Sequence, residues 1–130
     1  MLVALMIAAM AATQTAQQFD LVCTGTAMDA GDYQQTETRP SNTRIRIDLQ
    51  RGLWCVNDCG HHSPFVSVSP TELVMEDFES PNLEVYRSVN RTNGHYSVSV
   101  RSIVQGTVGA THSSEQCERA PYTPIPAAKF

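Results

Sequence analysis

Short runs of alternating apolar and polar residues follow one another through most of the chain after residue 16, and turn residues separate them. Alternation with a period of two is typical of strands that bury one face, whereas helical periodicity is hard to find in this part of the chain. The clearest run is residues 43–49, where Ile45, Ile47 and Leu49 share one face and charged residues occupy the other. The pattern therefore predicts an all-β protein.

Seven or eight strands are expected, at residues 19–26, 43–49, 53–56, 65–68, 73–77, 83–90, 96–100 and 107–117. The strongest hairpin signal is Asn93-Gly94, because these residue types tolerate the positive φ angles of a tight turn. The polar stretch of residues 27–42 contains few apolar positions and is interpreted as the longest loop. A functional contact site is expected there.

Short connections favour pairing between consecutive strands, which makes an antiparallel up-and-down meander the simplest topology. The sequence offers no helix to cover the second face of the sheet, so the sheet has to curl or fold over to bury its apolar side. We therefore expect the strands to form a small barrel or a flattened barrel-like sandwich.

The first sixteen residues are mostly apolar and carry no charged side chain. Their apolar core has the length found in secretory signal peptides and is too short to span a bilayer as a helix. We interpret residues 1–16 as a signal peptide, cleaved between residues 11 and 16, and expect a periplasmic or secreted protein. No Lys or Arg precedes the apolar run, so a hydrophobic N-terminal strand or helix is the alternative. A single β-domain at residues 17–120 and a proline-rich tail at residues 121–130 complete the chain.

The charge distribution bears on the class of partner. The formal net charge is −4, and the nine basic residues, of which only Lys129 is a lysine, are spread along the chain. Such a chain has no electrostatic footprint for nucleic acid or for an anionic membrane surface. No segment after the leader could insert into a membrane, so the expected partner is an unknown protein or small-molecule ligand.

Four cysteines allow three disulfide pairings, and an exported protein is expected to form disulfide bonds. Cys23 lies on the first strand and Cys117 near the last, and these strands are neighbours in a closed meander. A bond between them would join the ends of the sheet and stabilise the fold by about 4 kcal/mol. Cys55 and Cys59 would then form a local disulfide around Asn57 and Asp58.

A metal site is the alternative interpretation of this region. Cys55, Cys59, His61 and His62 fall within eight residues, and all four side chain types bind zinc. Their spacing does not match a standard structural zinc motif, and adjacent histidines on an extended chain point in opposite directions. Disulfide formation would also remove both thiolates. The sequence therefore predicts no metal or other cofactor, with the metal protein or an enzyme centred on this cluster kept as the alternative.

No catalytic motif is recognisable in the chain. The histidines His61, His62, His95 and His112 accompany many serines, but none of the serines lies in a G-x-S-x-G elbow. The adjacent acids Glu76 and Asp77 would point to opposite faces of a strand. We therefore predict no catalytic residue and a protein that is not an enzyme.

Two aromatic residues are candidates for a ligand pocket. Trp54, the only tryptophan, and Tyr86 both lie on predicted strands. Small barrels sometimes hold one small ligand among such side chains. In a domain of this size, aromatic side chains also serve simply to fill the core, which is the alternative.

Several segments together resemble small exported proteins of Gram-negative bacteria that are functionally uncharacterised. These segments are FDLVCTGT at residues 19–26, RIDLQRGLWC at residues 46–55, VNRTNG at residues 89–94, and the late single cysteine Cys117. That group commonly has N-R-x-T-G at the hairpin, and Thr92 and Asn93 depart from it while keeping the turn chemistry. The resemblance implies no catalytic residue, because none is assigned in the group.

The chain has a weaker likeness to periplasmic inhibitors of C-type lysozyme, which are small barrels tied by a terminal disulfide. Their glycine-rich loop before an apolar strand has no clear counterpart here. The likeness implies only a class of function, that of a non-catalytic binding or envelope-accessory protein. Its loops at residues 27–42 and 57–63 are the expected contact sites.

Overall fold

A computed structural model describes residues 17–31 and 34–127 of the chain, and this part is an all-β domain. The predicted signal peptide lies outside the described residues. Nine antiparallel strands form one sheet. They are β1 (Gln18–Gly31), β2 (Gln34–Asp48), β3 (Leu53–Val56), β4 (Ser63–Pro64), β5 (Ser67–Val68), β6 (Glu72–Glu79), β7 (Leu83–Asn90), β8 (His95–Val104) and β9 (Thr107–Ala120). No helix in the described ranges is long and apolar enough to cross a membrane.

The strands are arranged in the order β4-β3-β2-β1-β9-β8-β7-β6-β5, and β1 pairs with β9. The sheet curls into a half-barrel whose edge strands, β4 and β5, are joined by only Phe65 and Val66. Phe65 donates its backbone N–H to Gly52 on the β3 side (3.0 Å), and Val66 donates to Val74 of β6 (2.8 Å). One short extended segment therefore connects the two edges of the sheet.

The predicted barrel-like antiparallel meander is confirmed, with one strand more than the sequence suggested. The additional strand is β4, which is only two residues long and has no room for an alternating pattern. The predicted turn at Gly94 is also present, with a φ of 74° at this residue.

The prediction of a long loop at residues 27–42 was wrong. The first part of this stretch continues β1 and the last part belongs to β2, where Ala27 pairs with Arg39 and Met28 with Thr38. Backbone hydrogen bonds to β2 and β9 hold this end of β1 in the sheet although few of its side chains are apolar. The alternation is weak because both faces of the hairpin end lie beyond the core and meet water.

The core lies on one face of the curled sheet, which we call the inner face. Its largest fully buried apolar side chains are Tyr96, Ile45, Ile47, Leu73 and Met75, supplied by three different strands. Cys23 and Cys117 are directly opposite each other on this face and form a disulfide bond. This bond links β1 to β9, as the sequence analysis favoured.

Gly25 allows β1 and β9 to approach closely beside this disulfide. A Cβ atom at residue 25 would lie 2.0 Å from the backbone oxygen of Ser114 and 2.7 Å from the Cα of Glu115. Such distances are far below van der Waals contact, so any side chain at residue 25 would force the strands apart. The position therefore requires glycine for space rather than for a positive φ.

The tail after β9 packs against the opposite side of the sheet, the outer face, as a strap over β1, β2 and β3. Asp20, an outer-face residue of β1 with 0% exposure, accepts hydrogen bonds from Thr123 and from Arg44. Ile125 packs against the Cys55–Cys59 disulfide and Leu53. The strap, residues 121–125, thus covers one half of the outer face and creates a small second apolar cluster there.

Candidate binding groove on the outer face

The other half of the outer face, on β6 to β9 and the end of β1, carries a continuous row of side chains. Cross-strand pairing places Met28, His112, Ser99, Tyr86 and Asp77 next to one another in that order. They alternate along their strands with inner-face residues and therefore point away from the core. Residues from five strands meet in this row, although Met28 and His112 are far apart in sequence.

A groove of about 650 Å³ lies over this row, and we call it the outer groove. Met28 and Tyr86 line it, and 46% and 40% of their respective surfaces are exposed. Exposed apolar side chains gathered in one concavity are a common mark of a binding site. The groove is therefore the main candidate site in the described part of the chain.

Acidic side chains surround the outer groove. Asp77, Glu79 and Glu84 line it together with a single arginine, Arg101. Arg101 lies opposite Glu84 and forms an exposed ion pair with it at 3.6 Å. Asp77 and Glu79 are exposed at the end of β6, so the groove has an excess of negative charge.

Tyr86 is held in place in the groove by a neighbouring acid. Its hydroxyl donates a hydrogen bond to Glu72 Oε1 at 2.7 Å. This hydrogen bond, together with partial burial, raises the pKa of Tyr86 above 10.0. Tyr86 therefore lines the groove with its hydroxyl already engaged.

A smaller polar cavity of about 390 Å³ adjoins the outer groove at His112. Two serine–histidine pairs lie in this region: Ser99 Oγ is 2.9 Å from His112 Nδ1, and Ser114 Oγ is 3.0 Å from His95 Nε2. A nucleophilic serine needs a histidine base that is itself oriented by a third group, usually a carboxylate. Within the ranges that the structure describes, no carboxylate hydrogen-bonds to either imidazole. These pairs are suited to hydrogen bonding with a ligand.

A third cavity, of about 570 Å³, lies at the open end of the sheet near the tip of the β1–β2 hairpin. Asp29, one of the acids that line it, already accepts hydrogen bonds from Arg39 (3.0 Å) and Thr111 (2.8 Å). These hydrogen bonds lower the pKa of Asp29 below 3.8. The carboxylate is thus satisfied within the protein, which makes this cavity a weaker candidate than the outer groove.

The inner face holds a partly buried polar cluster next to the core. Arg87 donates to Glu76 Oε1 at 2.8 Å and to the Tyr96 hydroxyl, and its guanidinium lies 5.3 Å from the centre of the Trp54 ring. Burial raises the pKa of Tyr96 above 10.0, although the charge of Arg87 and its hydrogen bond oppose this effect. The sequence pattern did not indicate this cluster. It places Arg87 on the apolar face of its strand, at a position where a core residue is expected.

Glu115 is a buried acid on this face, with 3% exposure. Its Oε2 accepts hydrogen bonds from Thr43 Oγ1 (3.1 Å) and Ser41 Oγ (3.3 Å). Its Oε1 is buried without a hydrogen-bond partner among the described residues. Gly25 lies directly opposite Glu115 on β1.

The two aromatic residues predicted to line a pocket lie on opposite faces of the sheet. Trp54 is buried in the core, where it pairs with Ile47 and donates its indole N–H to the backbone oxygen of Pro64 (3.2 Å). Tyr86 lies in the outer groove. The structure therefore does not bring Trp54 and Tyr86 together, and only Tyr86 lines a cavity described here.

The four residues of the alternative metal site cannot bind a metal ion together, because two of them are joined in a disulfide bond. Cys55 and Cys59 form a disulfide bond, so neither sulfur is a thiolate, which is the form that binds zinc. His61 is exposed and His62 is half-buried in the loop that follows. Across residues 17–31 and 34–127, no three or more His, Cys, Asp and Glu side chains are grouped so as to hold a metal ion.

The two segments predicted as contact sites differ in their relation to the groove. Met28 and Ala30, from the stretch that the sequence predicts to be a loop, line the outer groove. The segment at residues 57–63 instead contains one end of the second disulfide, Cys59, and does not line the groove. Within it, Asn57 Oδ1 accepts a hydrogen bond from the backbone N–H of Arg44 (3.1 Å). The sequence predicted the exposed row on the outer face only in part. It placed Tyr86 on the face of β7 that is opposite to the apolar face of this strand.

Comparisons of the chain with protein-family models, curated proteins and solved structures found no match in any of the three. The function is therefore inferred from the residues and geometry described above.

Proposed function

We propose that this protein is an exported, non-catalytic binding protein that holds its ligand in the outer groove. The observation that carries this proposal is the asymmetry of the outer face. The strap covers β1 to β3, whereas Met28 and Tyr86 remain exposed in a groove of about 650 Å³ on the other half. Apolar side chains that a covering segment could have buried are instead available to a ligand.

The disulfide bonds support an extracytoplasmic location. Both pairs, Cys23–Cys117 and Cys55–Cys59, are formed, which indicates an oxidising environment. A periplasmic or secreted protein is the finer proposal, and it agrees with the apolar leader at residues 1–16. It also agrees with the resemblance to small exported proteins of Gram-negative bacteria.

The polar groups near the groove favour binding over catalysis. The imidazoles of His95 and His112 each pair with a serine on a rigid sheet, which suits them to donate or accept hydrogen bonds from a bound molecule. The hydroxyl of Tyr86 is engaged by Glu72 and is therefore an anchored recognition element. Rigid aromatic and amphipathic side chains of this kind supply contact area at low entropic cost.

A photo-crosslinking experiment tests the proposal. A benzophenone amino acid is placed at residue 86 in the outer groove and, as a control, at residue 66, where Val66 is 57% exposed outside the groove. We expect a discrete adduct from residue 86 in the exported fraction of the native host and none from residue 66. The adduct partner, identified by mass spectrometry, is then purified and titrated against the unmodified protein.

Two results would contradict the proposal. One is the absence of any adduct at residue 86 when the variant folds and is exported. The other is an identified partner that binds the Tyr86→Ala protein as tightly as the unmodified one. Either result would mean that the outer groove does not hold a ligand.

A further inference from the structure

We infer that the occupant of the outer groove is a basic, partly apolar peptide segment of a partner protein. This inference rests on the proposed function and adds the chemical class of the ligand. Three properties of the groove carry it: its charge, its apolar lining and its length.

The charge of the groove selects a cationic ligand. Of the charged residues that line it, Asp77, Glu79 and Glu84 are acidic and Arg101 is the single arginine. The ion pair with Arg101 occupies Glu84, whereas Asp77 and Glu79 are exposed and form no ion pair with any of the described residues. Complementary charge favours a ligand that carries Lys or Arg, and an anionic ligand would be repelled.

The apolar lining selects a ligand with aliphatic side chains as well. Met28 is flexible and polarisable, so it can adapt to differently shaped apolar groups. Tyr86, three strands further along the same row, presents a rigid ring. Lys and Arg suit such a surface, because their aliphatic stems pack on apolar groups while their charged ends remain near the acids.

The length of the groove points to a peptide rather than a single small cation. The row from Met28 to Asp77 crosses five strands. Neighbouring strands are about 4.8 Å apart, so the row extends over about 19 Å. An extended peptide of about six residues has this length.

A second copy of this chain is a poor occupant. The protein has a formal net charge of −4 and only one lysine, so two copies would bring like charges together at the groove. A partner segment rich in Lys or Arg relieves this repulsion. The occupant is therefore assigned to a different protein.

The experiment uses a defined probe, an eight-residue fluorescent peptide that alternates lysine and leucine. Its matched control has glutamate in place of every lysine. We measure fluorescence anisotropy with the unmodified protein at low and at high salt. The lysine peptide is expected to bind, more weakly at high salt because exposed charges are screened, and the glutamate peptide is not.

Two pairs of variants separate local from overall charge. Asp77→Asn with Glu79→Gln removes the two exposed acids of the groove, and Asp58→Asn with Glu118→Gln makes the same change in net charge at exposed positions outside it. We expect about a fivefold loss of affinity for the first pair, as for two exposed ion pairs, and less than about twofold for the second. Thermal unfolding checks that both proteins fold.

The apolar contribution has its own variant. Met28→Ser removes an apolar side chain from the groove without changing charge. It is expected to weaken binding of the lysine peptide to a similar extent at low and at high salt. Weakening that disappears at high salt would contradict the assigned role of the apolar lining.

The failures of the two proposals are distinguishable. Equal effects of the two charge-variant pairs, or failure of the lysine peptide to bind, would overturn the assignment of a basic segment. If residue 86 still forms an adduct in that case, the groove binds a ligand of another class and only this inference fails. If residue 86 forms no adduct, the proposed function itself fails.

Discussion

Asp20 and Thr123 are 103 residues apart in the chain, and two hydrogen bonds join them. The backbone N–H of Thr123 donates to Asp20 Oδ1 at 3.0 Å, and its hydroxyl donates to Oδ2 at 2.7 Å. Arg44 also donates to Oδ2 at 2.7 Å, so the buried carboxylate is fully engaged. Asp20 thereby helps to fix the strap to the outer face, together with Arg46, which donates to the backbone oxygen of Pro124 (3.0 Å).

Removal of Asp20 and removal of Thr123 should have non-additive effects on the free energy of unfolding. In a double-mutant cycle with Asp20→Ala and Thr123→Ala, we expect a coupling free energy of about 1 kcal/mol or more, because each variant breaks the same hydrogen bonds. Urea unfolding measures it. A second cycle that combines Asp20→Ala with Thr111→Ala, on the inner face, should be additive. Additivity in the first cycle would show that the strap is not held by this pair.

The close approach of β1 and β9 makes Gly25 the most sensitive glycine of the described sheet. Gly25→Ala places a Cβ atom 2.0 Å from Ser114 O, so we expect destabilisation by about 4 kcal/mol or more, or failure to fold. Gly60→Ala is the matched control, because a Cβ atom there meets nothing within 4 Å. Its effect on the free energy of unfolding should stay within about 0.5 kcal/mol. Similar effects of both substitutions would contradict the steric account.

The two disulfide bonds should contribute unequally to stability. Cys23–Cys117 encloses a loop with a sequence separation of 94, and Cys55–Cys59 one with a separation of 4. Loop entropy predicts losses of about 4 and about 2 kcal/mol on replacing each pair by alanine. Chemical unfolding of the two double variants under non-reducing conditions measures the difference. A larger loss for the local pair would mean that its packing under Ile125 outweighs loop entropy.

Arg87 should be important for stability although it is a charged residue on a strand. Arg87→Met leaves the buried Tyr96 hydroxyl and Glu76 without their donor, so we expect a loss of about 2 to 3 kcal/mol. Arg101→Met on the neighbouring strand removes only an exposed ion pair at 3.6 Å and should cost less than about 1 kcal/mol. Equal losses in thermal or urea unfolding would argue against the role of the inner cluster.

Tyr96 should make the protein sensitive to alkaline pH. Burial raises its pKa above 10.0 in the folded state, so the folded protein holds this proton more tightly than the unfolded chain. The resulting stability is complete below pH 10 and is lost as the pH rises through the pKa of the folded state. Tyr96→Phe should lose less stability between pH 9 and pH 11 than the unmodified protein, measured by urea unfolding. An unchanged pH profile would contradict the prediction.

The local sequence pattern carried enough information to predict most strands and the disulfide pairing. Alternation in residues 43–49 identified the buried face of β2, and Asn93-Gly94 identified the β7–β8 turn. The pairing of Cys23 with Cys117 followed once the first and last strands were taken as neighbours. These features depend on a side-chain period of two and on turn stereochemistry, both of which are local properties of the chain.

Other features required long-range contacts. The polar end of the β1–β2 hairpin is a strand because β9 pairs with it, and Asp20 is buried because the strap covers it. Local patterns also could not predict the candidate site, because they did not show that Trp54 and Tyr86 lie on opposite faces of the sheet.

The sequence by itself determined the β-class of the fold and the face that each clear strand buries, and it favoured Cys23–Cys117 among the three possible pairings. The tertiary structure alone decided which outer-face side chains became neighbours. Met28 and His112 are 84 positions apart in number and lie side by side because the register of β1 with β9 places them there. Local alternation predicts whether a residue is buried. The register between distant strands decides which exposed residues lie side by side and so form the groove.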